Sequence, residues 1–423
     1  MSSIIKRFRE NTILKNAAFL STIQIFNYVF PLITIPYLVR IFGLSSFGMI
    51  SMAQLVAGYI YIITDYGFNL SGTRKVVLEK SSLEALNAIF SSIIVTKGLL
   101  SVLCLLVTII IFNLVPIFNI NFSFYLIMSL SVFGQVFFPT WFFQGMEDMK
   151  IISIINGTSR ALTTVLIFLL IKSPKDLLGY AYLFTISNIL VGVFAFYYCK
   201  KRYHLTMVKV RYIQVVDFLK NGFNVFLPTF FSNILTTGGI LILGIYHSEK
   251  LVGIFNSIDK FVKAFVTFVG SITQALFPNV SSKFLTNKAD ALKLLSSYAK
   301  RIMFFLLICF ILSLLVGKYF LVFIYDESYL NYAYILYVQM AWVIISFMNN
   351  FIGIQFLVGS GNSLIYRKSF LMSVFFTICL FYLIIPFKID GLLYAVFFGE
   401  ISLLIAMLYF IKKENLITNE RIH

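Results

Sequence analysis

Residues 16–39 read NAAFLSTIQIFNYVFPLITIPYLV, and this stretch decides the fold. It holds 24 residues without a charge, enough for a helix rising about 1.5 Å per residue to cross about 30 Å of hydrocarbon. It is too long for the apolar core of a signal peptide and lacks a small-x-small cleavage site. It therefore reads as a first span that stays in the membrane, preceded by Lys6, Arg7, Arg9 and Lys15. Similar runs recur along all 423 residues, of which 60% are hydrophobic and only 12% charged. Mean hydropathy is +0.92, whereas an ordinary soluble domain carries roughly 25% charged residues. The runs do not alternate with period two as barrel strands do. Helices satisfy every backbone amide inside hydrocarbon, so the fold class is an all-α membrane protein.

Twelve spans are expected, at roughly 15–40, 46–70, 86–112, 120–143, 151–171, 177–199, 219–245, 252–277, 300–324, 332–357, 366–386 and 389–411. With the N-terminus in the cytoplasm, 24 of the 34 Lys and Arg fall on cytoplasmic segments. That asymmetry follows the positive-inside rule and sets both termini in the cytoplasm. The net charge of +17 is thus an orientation signal, and its dispersal over short loops speaks against nucleic-acid binding. The largest loop, with Lys200, Lys201, Arg202, Lys209 and Arg211 among Tyr203, Tyr212 and Ile213, reads as a basic segment lying on anionic headgroups.

This loop splits the chain into six spans and six. A shift of 205 residues lays Lys15-Asn16 on Lys220-Asn221, Gly48 on Gly253 and Cys104 on Cys309. Even span number per half makes the repeat parallel. The expected organisation is an N-terminal six-helix lobe at 1–199, a basic inter-lobe loop at 200–218 and a C-terminal six-helix lobe at 219–423. A central cavity lies between two lobes related by a pseudo-two-fold axis.

Polar residues form stripes within the spans. The second carries Ser51, Gln54, Gly58, Tyr61 and Asp65 on one helical face. The eighth carries Asn256, Lys260, Lys263, Thr267 and Gln274, and the first carries Ser21, Gln24, Asn27, Pro31 and Thr34. Each basic group near the bilayer centre costs about 2.5–3.5 kcal/mol on insertion scales. Lys97, Arg160, Lys260 and Lys263 must therefore face protein or water. Two readings stand for them: internal pairing with Asp65, Asp259 or Glu400, Asp259 and Lys263 being spaced i, i+4, or a hydrated chamber that draws an anion. Pro31 and Pro36 each remove a backbone bond and so are gating candidates. Glu147 and Asp148, in a short cytoplasmic loop, read as solvated.

No P-loop, H-E-x-x-H, G-x-S-x-G or kinase set occurs. Cys104, Cys199, Cys309 and Cys379 lack C-x-x-C spacing, and His204, His247 and His423 are scattered, so no metal site is expected. An enzyme acting on glycans would need a sizeable aqueous loop with clustered acidic or His residues, and the sequence has none.

Several segments resemble polysaccharide-unit flippases of the Wzx/RfbX type. They are Pro31 to Gly43 with Phe47-Gly48, Asp65 to Arg74, Pro139 to Lys150, Val252-Gly253, and Gln274 to Pro278. The resemblance implies membership of the multidrug/oligosaccharidyl-lipid/polysaccharide exporter superfamily, with a V-shaped central cavity. It implies transport of undecaprenyl-pyrophosphate-linked oligosaccharide units, of O-antigen or capsule type, from the cytoplasmic to the periplasmic leaflet of the bacterial inner membrane by alternating access. On this reading Lys260, Lys263 and Arg160 contact pyrophosphate, while Gln24, Asn27, Gln54 and Asn256 contact sugars. Asp65 and Glu400, with Pro31 and Pro36, are the coupling or gating candidates. No cofactor is expected beyond a coupling proton or sodium ion. The partners are the lipid-linked oligosaccharide, membrane lipids, and polysaccharide polymerase and chain-length machinery. The alternatives are a drug/cation antiporter of the same superfamily and a membrane glycan polymerase or ligase.

Overall fold

The computed structural model describes residues 12–414 and 416, with side chains described from residue 29 onward except at 221, 224, 275, 278 and 285. The expected sugar contacts Gln24 and Asn27, and both chain ends, lie outside the described side chains. Among the described residues there is helix and no strand. Ten helices are long and apolar enough to cross a membrane, so the chain is a multi-pass membrane protein.

The first element, α1 (Thr12–Asp65), contains 54 residues. At about 1.5 Å per residue it would be about 81 Å long if straight, over twice the hydrocarbon thickness. It is not straight. Gly43 breaks it with φ 75° and ψ 172°, a backbone state essentially reserved for glycine. The helix keeps its course through Pro31 and Pro36, so the break falls after the two expected gating prolines.

Short α2 (Phe68–Leu78) and long α3 (Leu83–Leu114) follow, Ser82 capping α3 by accepting from the Ala85 N–H. The expected fourth span is a chain of short helices: α4 (Pro116–Ile120), α5 (Phe122–Ser129), α6 (Val132–Phe137) and α7 (Thr140–Gly145). Pro139 explains one interruption, since Phe138 before it is extended. Then come α8 (Met149–Leu170), α9 (Leu177–Arg202) and α10 (Tyr212–Asn233). After a widened π turn at Ile234–Gly238 follow α11 (Gly239–Tyr246), α12 (Glu249–Thr286) and α13 (Lys288–Ile324). Helix α14 (Ala333–Asn349) passes into a second π stretch at Asn350–Val358. The chain closes with α15 (Ser363–Leu380) and α16 (Ile384–Lys413), the latter broken at Lys388, φ 54°.

The chain divides into two compact units, 1–237 and 238–423. Helix α10, from which the sequence expects a C-terminal lobe to start, packs within the first unit. The reason is visible in the turn Asp65-Tyr66-Gly67, where Tyr66 and Gly67 both take positive φ. A Cβ on Gly67 would stand 2.8 Å from Val225, and one on Gly222 would stand 2.7 Å from the Tyr66 carbonyl. The Tyr66 ring stacks on Phe226 with centroids 4.6 Å apart. Lys75 then reaches Asp217 at 2.9 Å and lies 3.7 Å over the Phe218 ring.

The Pro139–Lys150 motif sits against the same plate. Trp141, Phe142 and Phe143 are wholly buried beside Phe68 and Phe90, and the Thr73 hydroxyl donates to the Trp141 carbonyl at 3.0 Å. Glu147 and Asp148 are not simply solvated as the sequence suggests. Glu147 pairs with Lys80 at 2.9 Å, and Asp148 with Arg202 at 2.8 Å. Asp148 also accepts from the Tyr203 hydroxyl at 2.9 Å; burial pushes that phenol's titration up, keeping it a donor. Two of the motifs behind the family resemblance are thus one interlocked structure on the basic face.

Helices α6 and α9 cross where Gly134 faces Gly192, so closely that a methyl on Gly192 would overlap the Gly134 carbonyl. Backbone cannot give way as a flexible side chain can. Gly192→Ala is expected to cost about 1–3 kcal/mol, read as a lowered midpoint of thermal unfolding of the purified protein. An unchanged midpoint would show that the crossing is looser than this.

Candidate functional site

Each unit carries polar groups at membrane depth. In the first unit, the second half of α1 turns its stripe toward protein. Gln54 donates to the Tyr180 hydroxyl at 3.2 Å, and Asn69 donates to the Tyr61 hydroxyl at 3.2 Å. Ser51 and Thr64 are buried, and their hydroxyls find no hydrogen-bond partner.

Asp65 meets the Lys97 ammonium at 2.9 Å, their side chains 12% and 2% exposed. Asp65 also accepts from the Asn69 N–H at 3.4 Å, and Lys97 stands 5.9 Å from the Tyr61 ring. Removing the charge from water is tolerable here because the opposite charge is in contact. The carboxylate expected to serve coupling or gating is therefore engaged in tying α1 to α3.

Arg160 differs. It is half-buried on α8, and among the described residues no carboxylate lies within 4.0 Å of it and no group hydrogen-bonds it. The Tyr37 ring lies 4.5 Å from Phe168, and its hydroxyl donates to the Ile171 carbonyl at 2.5 Å. Both α1 and α8 are followed from the basic face, so they run side by side in one direction. Eight residues before Phe168, Arg160 lies about 12 Å deeper along the axis. That is the level of residue 29 on α1, half a turn from Asn27.

In the second unit, the α12 stripe includes Asn256, which is buried at 4% exposure and has no hydrogen-bond partner among the described residues. Lys260 is half-buried. Lys263 pairs with Asp259 at 2.8 Å, the lysine side chain remaining 33% exposed. Of the two readings that the sequence leaves open for Lys263, pairing is the one present. Farther along, Thr267 donates to the Lys263 carbonyl and Ser271 to the Thr267 carbonyl, both at 2.9 Å.

Glu400 on α16 has no cationic partner among the described residues. Its neighbours are neutral: the Asn349 amide donates to its carboxylate, and also to its backbone carbonyl at 2.9 Å. The sequence reading missed Asn349, Asn350 and Gln355, each of which buries a side-chain oxygen without a partner. Their signal was available, since a buried amide in hydrocarbon is costly in the same way as a charge.

A sequence profile of the family described as polysaccharide biosynthesis protein matches residues 13–284. The chain belongs to that family. Two family relatives are both named "Putative O-antigen transporter". The one from Shigella dysenteriae is 30% identical over 267 residues, covering 63% of this chain and 67% of its own length. The one from Escherichia coli strain K12 is 28% identical over 281 residues, covering 66% and 68%. Among solved structures, an inward-facing multidrug resistance MATE family transporter of the MOP superfamily aligns at TM-score 0.68 and 12% identity, over 93% of this chain and 97% of that one. The lipid II flippase MurJ, in an inward closed conformation, aligns at 0.66 and 16%, over 94% and 87%. At such identities the likeness is one of fold. Membership of the family bears out the resemblance read from the motifs, and sets the chain among transporters and not enzymes.

The buried pair offers a direct test. Lys97→Met alone leaves an uncompensated carboxylate and is expected to cost about 3–5 kcal/mol, and Asp65→Asn should do comparable damage. The double variant Lys97→Met/Asp65→Leu should lose much less than the sum. Thermal unfolding of the four proteins as a double-mutant cycle measures this, and strict additivity would show that the two charges do not depend on each other.

Proposed function

We propose that the protein is a flippase for lipid-linked oligosaccharide units. It moves undecaprenyl-pyrophosphate-linked repeat units, of the O-antigen or capsule type, from the cytoplasmic to the periplasmic leaflet of the inner membrane by alternating access. Family membership, the names of the two relatives and the fold likeness to a lipid II flippase support this reading. The observation that carries it is Arg160, a guanidinium at mid-span with no carboxylate to neutralise it. Hydrocarbon does not admit such a group without water or an anion. A pyrophosphate is the matching ligand, because the planar guanidinium fork meets two phosphate oxygens at once.

The architecture in this proposal is twelve spans in two six-helix lobes around a V-shaped cavity, with both termini in the cytoplasm. The breaks at Gly43 and Lys388 support the count, since each divides a segment of 50 residues or more. Arg160 comes first among the pyrophosphate contacts, with Lys260 beside it in the scheme and Lys263 in reserve because Asp259 already answers its charge. Gln54, Asn256, Gln24 and Asn27 serve as the sugar contacts, their amides replacing water around hydroxyl groups. The prenyl chain stays in lipid throughout. Polymerase and chain-length machinery would receive the delivered unit.

Deletion of the gene should abolish surface polysaccharide and leave lipid-linked repeat units in the cytoplasmic leaflet. Losing a charge-assisted contact of about 1.5–3 kcal/mol makes Arg160→Gln about 10- to 100-fold slower in flipping. Arg160→Lys should retain more activity. Full surface polysaccharide from Arg160→Gln, at equal protein level, would remove Arg160 from the transport path.

A further inference from the structure

Glu400 stands 12 residues after the break at Lys388 and 13 before the end of α16 at Lys413. Those separations are about 18 and 20 Å along the helix, which sets the carboxyl near the middle of the bilayer. The other two acidic groups inside the spans have their cations, Lys97 for Asp65 and Lys263 for Asp259. Among the described residues, no lysine, arginine or histidine nitrogen comes within 4.0 Å of Glu400.

Its surroundings hold donors on one side and surplus acceptors on another. Trp342, Ser346 and Asn349 recur at helical spacing on the α14 face turned to Glu400. Asn349 donates to the carboxylate, and the Trp342 indole N–H is buried without a well-formed hydrogen bond. The left-over atoms are oxygens: Asn349 Oδ1 and Asn350 Oδ1 are buried and accept nothing. On the far side, Ser373 and Ser402 both donate to the carbonyl of Gly399, next to Glu400, at 2.8 and 2.7 Å. That carbonyl's remaining capacity is thereby consumed, so it is no alternative partner for a donor.

The nearby ionisable groups do not supply the missing charge. Tyr366 on α15 senses the Glu400 charge but is a phenol. Between Tyr337 and Asn349, α14 carries none. Helix α12, packed along α14, contributes Asp259 and Lys263, already joined to each other, and Lys260, which lies outside hydrogen-bond range of Glu400.

We propose that Glu400, with the side-chain oxygens of Asn349 and Asn350, is an exchangeable binding site for a monovalent cation, a proton or Na⁺. One carboxylate and neutral amide oxygens balance a single positive charge, whereas a divalent ion would leave an excess charge in hydrocarbon. The site sits where α14 gives way to the π stretch Asn350–Val358, a widened turn of the kind found at functional positions. Filling or emptying it changes the net charge beside that turn. In the transporter reading proposed above, on which its use for coupling rests, the cation's gradient is what drives the cycle.

The full chain in lipid nanodiscs tests the site without any cargo. Thermal unfolding is followed at pH 8 as Na⁺ replaces choline at constant ionic strength, and separately from pH 8 to pH 5.5 without Na⁺. A cation bound only by the folded state raises the midpoint. A saturable rise with Na⁺ identifies sodium, and a rise on acidification alone identifies the proton. Either response should vanish in Glu400→Gln, which keeps the shape without the charge. Should that variant fail to fold, Asn349→Ala, expected to weaken the response about tenfold, takes its place. Wild type with neither response, or variants that respond as wild type does, would overturn the site. Arg160→Gln should keep the cation response whatever it does to flipping. A failure here is therefore distinct from a failure of the flippase reading.

Discussion

The Lys97 ammonium and the Asp65 carboxylate touch at 2.9 Å inside the protein, and the constraint they obey governs the rest of the structure. Hydrocarbon gives a charge nothing to interact with, so each one must find an opposite charge, water or a ligand. Lys97 with Asp65 and Lys263 with Asp259 meet this requirement internally. Arg160 and Glu400 do not. The cation and the carboxylate left over lie in different compact units of the chain, and they are the groups with charge to spare for something that comes and goes. Sorting the ionisable groups by whether they are already answered separates fold from function more sharply than depth alone.

The same sorting assigns the family motifs to structure. Asp65-Tyr66-Gly67 is a helix end bent through positive φ, with glycine where Val225 leaves no room for a side chain. The Pro139–Lys150 segment supplies the aromatic floor and two surface ion pairs for the same assembly. Exposed pairs of that kind contribute little stability each. Here their use is positional, since they hold the ends of α2, α7 and α9 at the basic face in one register. Residues that most strongly mark the family are therefore absent from the proposed cargo path.

Much of this was legible beforehand, for physical reasons that also explain the misses. Hydropathy finds where lipid touches a helix, so the expected 86–112 and 151–171 fall within two residues or so of Leu83–Leu114 and Met149–Leu170, apart from frayed ends. It does not find where helical hydrogen bonding stops. Helix α13 therefore begins at Lys288, well before the apolar run expected from 300. The Asp259–Lys263 pair was readable because i, i+4 neighbours meet on any helix. Asp65 and Lys97 are 32 residues apart and meet only through packing, which no local pattern encodes. Asn349 and Asn350 escaped notice because uncharged amides barely lower the hydropathy of an apolar stretch, although burying one unpaired is costly.

The break in α1 carries a consequence for how the protein is made. Between the helical stretches ending at Phe42 and resuming at Leu44 stands a single glycine, with no hydrophilic connection of its own. A translocon releasing the first stretch into lipid has nothing polar to export before the second arrives, so the two enter the bilayer as a preformed helical hairpin. Insertion of the chain's opening segment is on this account one event, and a side chain at Gly43 would be felt during biogenesis before it could affect the mature transporter.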